Sequence, residues 1–138
     1  MSAADGAGVI ALCLDRGFAR AGVCDTSPTE YADELRRWLA EGKHGEMSYL
    51  ADHLAARLDP NLVLEGARSA VMVADLYHTR GDPPDAIAPG RGRIARYARG
   101  RDYHTVIKER LHALCDELHE RHPGERFRAF TDTAPVME

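Results

Sequence analysis

The sequence predicts an α+β fold, with the layered order of α/β proteins, in which a small sheet is flanked by helices. The run at residues 70–77 (AVMVADLY) is short, apolar and bounded by turn-forming segments, which is typical of a buried strand. On both sides of this run, apolar residues recur at helical spacing. The 138 residues, 44% hydrophobic and 29% charged, suit one soluble globular domain.

The first third of the chain alternates between helical and extended patterns. Residues 4–16 have apolar side chains at helical spacing and are followed by Gly17, so we expect a helix that stops there. Residues 20–24 form a short extended stretch. Residues 27–30 (SPTE) have the form of a capping box with proline at the first helical position, which predicts a second helix that Gly42 closes.

The middle of the chain contains one more helix and a long loop. Residues 47–58 return to helical spacing, and this helix must end near Pro60. Residues 78–93 are rich in glycine and proline, which predicts a surface loop of a length often linked to function. Residues 93–98 are predicted to form another strand.

The last third begins with the strongest helical pattern in the chain. Residues 103–122 have leucines at helical spacing, with Asp102 placed to cap the helix and Pro123 to end it. Residues 126–131 alternate between polar and apolar types, which predicts a further strand.

The charge of the chain is unevenly distributed. Residues 91–110 hold seven basic and two acidic residues, a charge of +5; because the whole chain has −4, the remainder has −9. A local basic segment on an acidic body indicates a phosphate-bearing partner, although an ordinary solvated surface has the same pattern. The basic residues are Arg91, Arg93, Arg96, Arg99, Arg101, Lys108 and Arg110.

The cysteines and the N-terminus indicate the compartment. Cys13, Cys24 and Cys115 are widely spaced and form no CxxC pair, which argues against a disulfide framework and against a metal site built within this chain. The first twenty residues lack the charge pattern of a signal peptide, and no apolar run approaches membrane-spanning length. We therefore expect a cytoplasmic protein.

Several short motifs occur in a characteristic order. They are GKHGEM at 42–47, YL at 49–50, RLDP at 57–60, GARS at 66–69, Tyr77, IARYARGRDYH at 94–104 and DTAPVME at 132–138. Each motif is weak alone, but their succession resembles the epoxyqueuosine reductase family from Gly42 to the last residue.

The resemblance implies a function and a domain plan. Members of that family reduce the epoxide of epoxyqueuosine in the anticodon loop of tRNA to the alkene of queuosine, using cobalamin and two 4Fe-4S clusters. Residues 1–138 would be the N-terminal part of a nitroreductase-like corrinoid-binding domain, and the ferredoxin-like iron–sulfur domain would lie outside this chain. No C-x₂-C-x₂-C-x₃-C-P run occurs here, so we expect the chain to be inactive alone. The resemblance implies that the full-length protein is an oxidoreductase, and we expect it to be a monomer.

The resemblance also implies site residues. The resemblance places Asp132 at the position of the family's proton donor, and a carboxylic acid can protonate the departing epoxide oxygen. The alternative is that Asp132 caps a helix that Pro135 begins. Arg57 matches a corrinoid contact, or else serves as a cation in the last turn of its helix. Ala95 matches a second corrinoid contact, through its backbone, or is an ordinary strand residue.

Arginines interleaved with tyrosines indicate contact with tRNA. Guanidinium groups neutralise phosphates and aromatic rings stack on unpaired bases, and Tyr97 and Tyr103 are interleaved with the basic residues. The alternative is a strand with solvated charges. The predicted tRNA-binding residues are Arg93, Arg96, Arg99 and Arg101.

Other interpretations stay open. The chain could be a free-standing module that binds cobalamin or flavin without catalysis, or a plain RNA-binding domain. One face of the long helix has possible metal ligands, but residues on a single element rarely complete a zinc site, so we interpret them as structural and predict no metal. They are His112, Cys115, His119 and His122.

Overall fold

The computed structural model describes residues 3–78, 90–92, 94–132 and 134–136, with the side chains of residues 3–5 also left out of the description. In chain order the α-helices and strands are α1 (Ala3–Asp15), β1 (Arg20–Asp25), α2 (Ala32–Ala40), α3 (Leu54–Leu58), β2 (Ser69–Ala74) and α4 (Tyr103–Arg121). Short 3₁₀ helices occupy Ser48–Leu50, Pro60–Leu62 and Arg96–Ala98. None of the described helices is both long and apolar enough to cross a membrane.

The sheet consists of β1 and β2, which pair in antiparallel order. Just before β1, the backbone N–H of Ala19 donates to the carbonyl oxygen of Ala74 at 2.9 Å, which fixes the register at that end. The structure therefore confirms the α+β prediction in its coarse form, a small sheet with helices. The described residues form two compact units, one from the segments up to Gly22 and from Met72 to Thr131, the other from the segments Val23–Val71 and from Asp132 onward.

Two further predicted strands are wrong. In the predicted strand at 93–98, whose first residue lies outside the description, the N–H groups of Ala98 and Arg99 bond to carbonyl oxygens three residues back, so the segment closes a 3₁₀ turn. Residues 126–131 alternate between half-buried and exposed, as the pattern predicted, but form no strand. Alternation indicates an extended segment, and a strand also requires a partner.

The buried residues of the first unit come from both ends of its sequence. Its most buried apolar residues, each 7% exposed or less, lie on α1, just after α1 and on α4. Burying a side chain of this kind stabilises the fold by about 1.5–3 kcal/mol. The set comprises Val9, Leu12, Cys13, Phe18, Leu114 and Leu118.

Glycine ends both of the early helices, as predicted. After α1, Gly17 adopts φ +83°, and the N–H of Phe18 donates to the carbonyl oxygen of Cys13 at 3.2 Å. After α2, Gly42 adopts φ +67°, and the N–H of Lys43 donates to the carbonyl oxygen of Trp38 at 3.2 Å. Both are Schellman ends, in which a left-handed residue turns the chain back to satisfy the last carbonyls.

The start of α2 differs from the prediction. The helix begins at Ala32, and its N-cap residue Tyr31 makes no side-chain cap hydrogen bond. The side chain of Asp25 accepts from the N–H of Ser27 at 2.9 Å, and that of Thr29 accepts from the N–H of Tyr31 at 3.2 Å. The N–H of Ser27 therefore bonds to Asp25 instead of to Glu30, and the helix starts after Tyr31, so the predicted capping box is wrong.

The predicted helix over 47–58 is interrupted. A 3₁₀ turn at Ser48–Leu50 and the short α3 are separated by His53, whose φ of +58° is left-handed. The end near Pro60 is confirmed, since the Asp59 carboxylate accepts from the N–H of Asn61 at 2.9 Å and so starts the next 3₁₀ turn. The single-helix prediction was wrong because the pattern contains no signal for a left-handed residue that is not glycine.

The long helix α4 agrees closely with its prediction. Asp102 is the N-cap, and its carboxylate accepts from the N–H of His104 at 3.0 Å. On α4, Glu117 accepts hydrogen bonds from Arg16 at the end of α1 and from Arg121 one turn along. These bonds, with that from Arg16 foremost, hold the pKa of Glu117 below its ordinary value.

We expect the lowered pKa of Glu117 to make stability depend on acid pH. The ionised form is favoured in the folded chain, so its contribution is complete above the ordinary Glu value of 4.5 and is lost as pH falls through the lowered pKa. In urea denaturation at a series of pH values, Glu117→Gln should lower stability at pH 7 and reduce the loss that the parent shows below about pH 4.5. Glu120→Gln, exposed on the same helix, is the matched control. Identical pH profiles for parent and Glu117→Gln would contradict this assignment.

Candidate functional site

The structure separates the basic residues at 91–110 into two groups. Arg93 lies outside the described residues. On the surface are Arg91, Arg99, Arg101 and Lys108. Arg96 and Arg110 are half-buried.

Arg110 is part of the packing of its unit. Its guanidinium lies 4.0 Å from the ring centroid of Phe18 and forms an ion pair with Asp75 just after β2. Its Nε donates to the carbonyl oxygen of Arg16 at 3.3 Å. Cation–π contact, ion pair and hydrogen bond together hold this side chain in place, so Arg110 does not belong to the phosphate-binding set that the charge count indicated.

The three described arginines of the predicted RNA set have different surroundings. Arg96 contacts the ring nitrogen Nδ1 of His78. Arg99 is exposed and donates from Nε to the carbonyl oxygen of Ile94 at 3.0 Å, a bond that uses one of its five N–H groups. Arg101 has a side chain 73% exposed and lies 3.6 Å from Glu109. Arg99 and Arg101 are therefore the members best placed to meet a phosphate.

Three aromatic rings gather at the start of α4, and we call Tyr97, Tyr103 and His104 the aromatic cluster. The rings of Tyr103 and His104 are stacked, with centroids 4.1 Å apart and an interplanar angle of 27°. Tyr97 meets Tyr103 edge to face, at 5.9 Å and 81°. Arg99 and Arg101 lie between Tyr97 and Tyr103 in sequence, so the exposed cations and the rings belong to one short stretch of chain.

Asp102 and His104 form a pair that the sequence prediction did not select. The Asp102 carboxylate lies 2.8 Å from Nδ1 of His104 while also capping the helix. The hydrogen bonds to His104, the side-chain one first, lower the pKa of Asp102. A carboxylate two residues before a histidine at a helix start is a local pattern, so the spacing could have predicted this pair. The contact fixes the orientation of the imidazole.

Arg57 lies in the last turn of α3 and is half-buried. Its Nη2 donates to the carbonyl oxygen of Tyr49 at 3.2 Å, whereas its buried Nε has no hydrogen-bond partner within the described chain. A buried donor without an acceptor costs about 1–3 kcal/mol. This favours a bound group that carries hydrogen-bond acceptors, as the side chains of a corrinoid do, while the helix-end position also agrees with the dipole interpretation.

Ala95 and Asp132 are both exposed. Ala95 has extended backbone angles, φ −55° and ψ 143°, directly before the 3₁₀ turn, and its carbonyl oxygen accepts from the N–H of Ala98 at 3.0 Å. Asp132 lies in a turn, and residues 134 and 135 form bends. Ala95 belongs to the first unit, and Arg57 and Asp132 belong to the second.

The histidine and cysteine face of α4 has structural contacts. His119 contacts the carbonyl oxygen of Cys115 through Nδ1 at 2.8 Å, and its ring meets that of Phe127 edge to face at 4.9 Å. Burial raises the pKa of the Cys115 thiol, which keeps it protonated and a poor ligand. Within residues 3–78, 90–92, 94–132 and 134–136, no group of three or more potential ligands is placed to hold a metal ion.

Comparison with known proteins identifies the family. Residues 57–133 match the model of the family described as epoxyqueuosine reductase QueG, DUF1730. The chain belongs to this family. It is 37% identical over 133 residues to the epoxyqueuosine reductase of Shewanella oneidensis and 42% identical over 125 residues to that of Gloeobacter violaceus, each match covering 88% of the chain. The chain spans only 33% and 37% of the lengths of these relatives.

Solved structures of epoxyqueuosine reductases have the same fold. The structure from Streptococcus thermophilus superposes with a TM-score of 0.79 at 22% identity, covering 94% of this chain and 35% of that one. An epoxyqueuosine reductase solved with a tRNA-Tyr epoxyqueuosine-modified stem loop superposes with a TM-score of 0.80 at 26% identity and the same coverage. The small α+β arrangement is therefore that of the family.

Proposed function

We propose that this chain is the N-terminal part of an epoxyqueuosine reductase, an oxidoreductase that converts epoxyqueuosine in tRNA to queuosine. The family match supports this reaction. The structural observation that carries it is the exposed pair Arg99 and Arg101 beside the aromatic cluster, since cations and rings together are what a single-stranded RNA loop requires. A relative of known structure was solved with a tRNA stem loop. The chain alone, at about a third of its relatives' length, is inactive in this proposal.

The substrate in this proposal is the anticodon loop of tRNA. Arg99 and Arg101 bind backbone phosphates, with Arg96 and Arg93 as further candidates from the sequence. Phosphate contacts position an RNA, whereas contacts to bases select it. The cations therefore determine how strongly the loop is held, and the rings determine which nucleotides fit.

The corrinoid of this proposal is cobalamin, bound in part of a nitroreductase-like domain. When bound, cobalamin would supply electrons for removal of the epoxide oxygen. Arg57 would donate from its Nε to acceptor atoms of the corrinoid side chains. The small side chain of Ala95 would allow the corrin ring to approach the backbone closely. The donor chemistry of Arg57 fits amide-tipped side chains and a phosphodiester.

Asp132 is the proposed proton donor. Reduction of an epoxide to an alkene takes up two electrons and two protons and releases the oxygen as water, so an acid must stand at the departing oxygen. Asp132 is exposed in this chain. In this proposal a corrinoid and further protein around Asp132 exclude water, and its carboxyl delivers the proton to the departing oxygen.

The iron–sulfur clusters do not fit this chain. Its cysteines lie on three separate elements, and Cys13 is fully buried, with its thiol pKa raised by burial. Cluster ligands are closely spaced thiolates. The two 4Fe-4S clusters therefore belong, in this proposal, to the part of the relatives' length that this chain does not span. The full-length protein is proposed to be a cytoplasmic monomer.

We expect Arg99 and Arg101 to determine the salt dependence of tRNA binding. Replacing both by Ala in the full-length protein should weaken binding and flatten the slope of log K against log salt concentration by about 1–2. The slope flattens because each phosphate contact that is lost means that binding releases fewer condensed counterions from the RNA. Binding measured by fluorescence anisotropy at several salt concentrations gives this slope. The matched control is the double change of Arg36 and Arg37, exposed on α2, to Ala. A slope equal in both doubly substituted proteins would refute the assignment.

A further inference from the structure

Among the rings of the aromatic cluster, Tyr97 is the one most open to solvent. It is 54% exposed, whereas Tyr103 and His104 are half-buried and stacked on each other. Leaving an aromatic side chain in water forgoes part of the 1.5–3 kcal/mol that its burial would contribute. Tyr97 meets Tyr103 at 81°, so it is supported by its neighbour without being stacked on it.

The backbone around Tyr97 is already ordered. The N–H of Ala98 donates to the carbonyl oxygen of Ala95 at 3.0 Å, and that of Arg99 donates to the carbonyl oxygen of Arg96 at 3.1 Å, which closes the 3₁₀ turn around the tyrosine. The Arg99 side chain is tied to Ile94 on the other side of the same turn. A ring presented from a closed turn loses little conformational freedom on binding a ligand.

The charge beside Tyr97 selects the kind of ligand. Arg96 and Arg99 flank it in sequence, and Arg101 follows two residues later with its side chain 73% exposed. An exposed ring with exposed cations close by in the chain matches a base attached to its phosphates, because stacking and phosphate contact then act on one nucleotide. A paired base offers no open face, so the ligand is an unpaired one.

We propose that Tyr97 stacks on an unpaired nucleobase of the RNA loop and so makes this surface prefer loops to duplexes. The inference rests on the proposed function and deepens it. Stacking is tolerant of base identity, since every base has an aromatic face. Tyr97 therefore selects unpaired nucleotides, whereas Arg99 and Arg101 contribute affinity for any phosphate backbone.

The test measures the affinity of the full-length protein for two RNAs: a tRNA anticodon stem loop and a fully paired duplex of the same length. Tyr97→Leu should bind the stem loop about tenfold to a hundredfold more weakly. Its affinity for the duplex and its salt slope should equal those of the parent, since no charge changes. Tyr97→Phe keeps the ring and should bind like the parent. Tyr31→Leu, an equally exposed tyrosine on the other unit (56%), is the matched control.

A second measurement reports stacking directly. With 2-aminopurine placed in the loop, the parent and Tyr97→Phe should quench its fluorescence on binding, and Tyr97→Leu should not. Stem-loop binding by Tyr97→Leu within twofold of the parent overturns the inference and leaves the proposed function standing. Equal losses for loop and duplex also overturn it, because they indicate a disturbed fold. A parent that binds neither RNA overturns both proposals.

Discussion

Asp132→Asn in the full-length protein should retain tRNA and cobalamin binding and lose turnover by about 10²–10⁴, the usual contribution of a general acid. The amide keeps the size of the carboxyl but carries no transferable acidic proton. Neither binding step requires that proton, so the loss should appear in kcat. Single-turnover assays of epoxide reduction, with ligand affinities measured in parallel, separate the two effects.

A capping role for Asp132 makes the opposite prediction. Asn is as good an N-cap as Asp, so a residue that only caps a helix would tolerate the exchange with near-normal stability and rate. The control is Asp52→Asn, another exposed aspartate of the same unit. If Asp132→Asn binds both ligands and turns over within a few-fold of the parent, the catalytic assignment is wrong.

The features of the fold that could be predicted from the sequence are those with a local cause. Gly17 and Gly42 end their helices because only glycine adopts their positive φ without strain, and Asp102 caps α4 through its own side chain. The two strands predicted at 93–98 and 126–131 were wrong for a different reason. A strand depends on a partner at a distance in sequence, and period-2 alternation contains no information about that partner.

In the candidate site, too, local features could be predicted and contacts between residues distant in sequence could not. The charge count over residues 91–110 included Arg110, because charge alone does not show that Asp75 and Phe18, distant in sequence, lie against its guanidinium. The pair of Asp102 and His104 is local, so it could have been predicted from the sequence. The predicted roles of Arg57, Ala95 and Asp132 come from family resemblance, and they stay predictions until the variants are measured.

Replacing Arg110 should destabilise the protein and leave tRNA affinity per folded molecule nearly unchanged. We expect Arg110→Ala to lower the free energy of unfolding by about 2–4 kcal/mol, since a charged hydrogen bond contributes about 1.5–3 kcal/mol and the cation–π contact about 0.5–2 kcal/mol. The substitution also leaves the half-buried carboxylate of Asp75 without this partner. Urea denaturation followed by circular dichroism measures the change.

The controls separate packing from charge. Lys108→Ala removes a charge from an exposed position on the same helix and should change stability by less than about 0.5 kcal/mol. Arg110→Lys keeps the charge but cannot reproduce the forked geometry that reaches Asp75 and Arg16 while covering Phe18, so it should recover only part of the loss. A double-mutant cycle with Asp75→Asn isolates the ion pair. Arg110→Ala with parental stability and a flattened salt slope would instead show that Arg110 binds RNA, as the charge of its segment indicated.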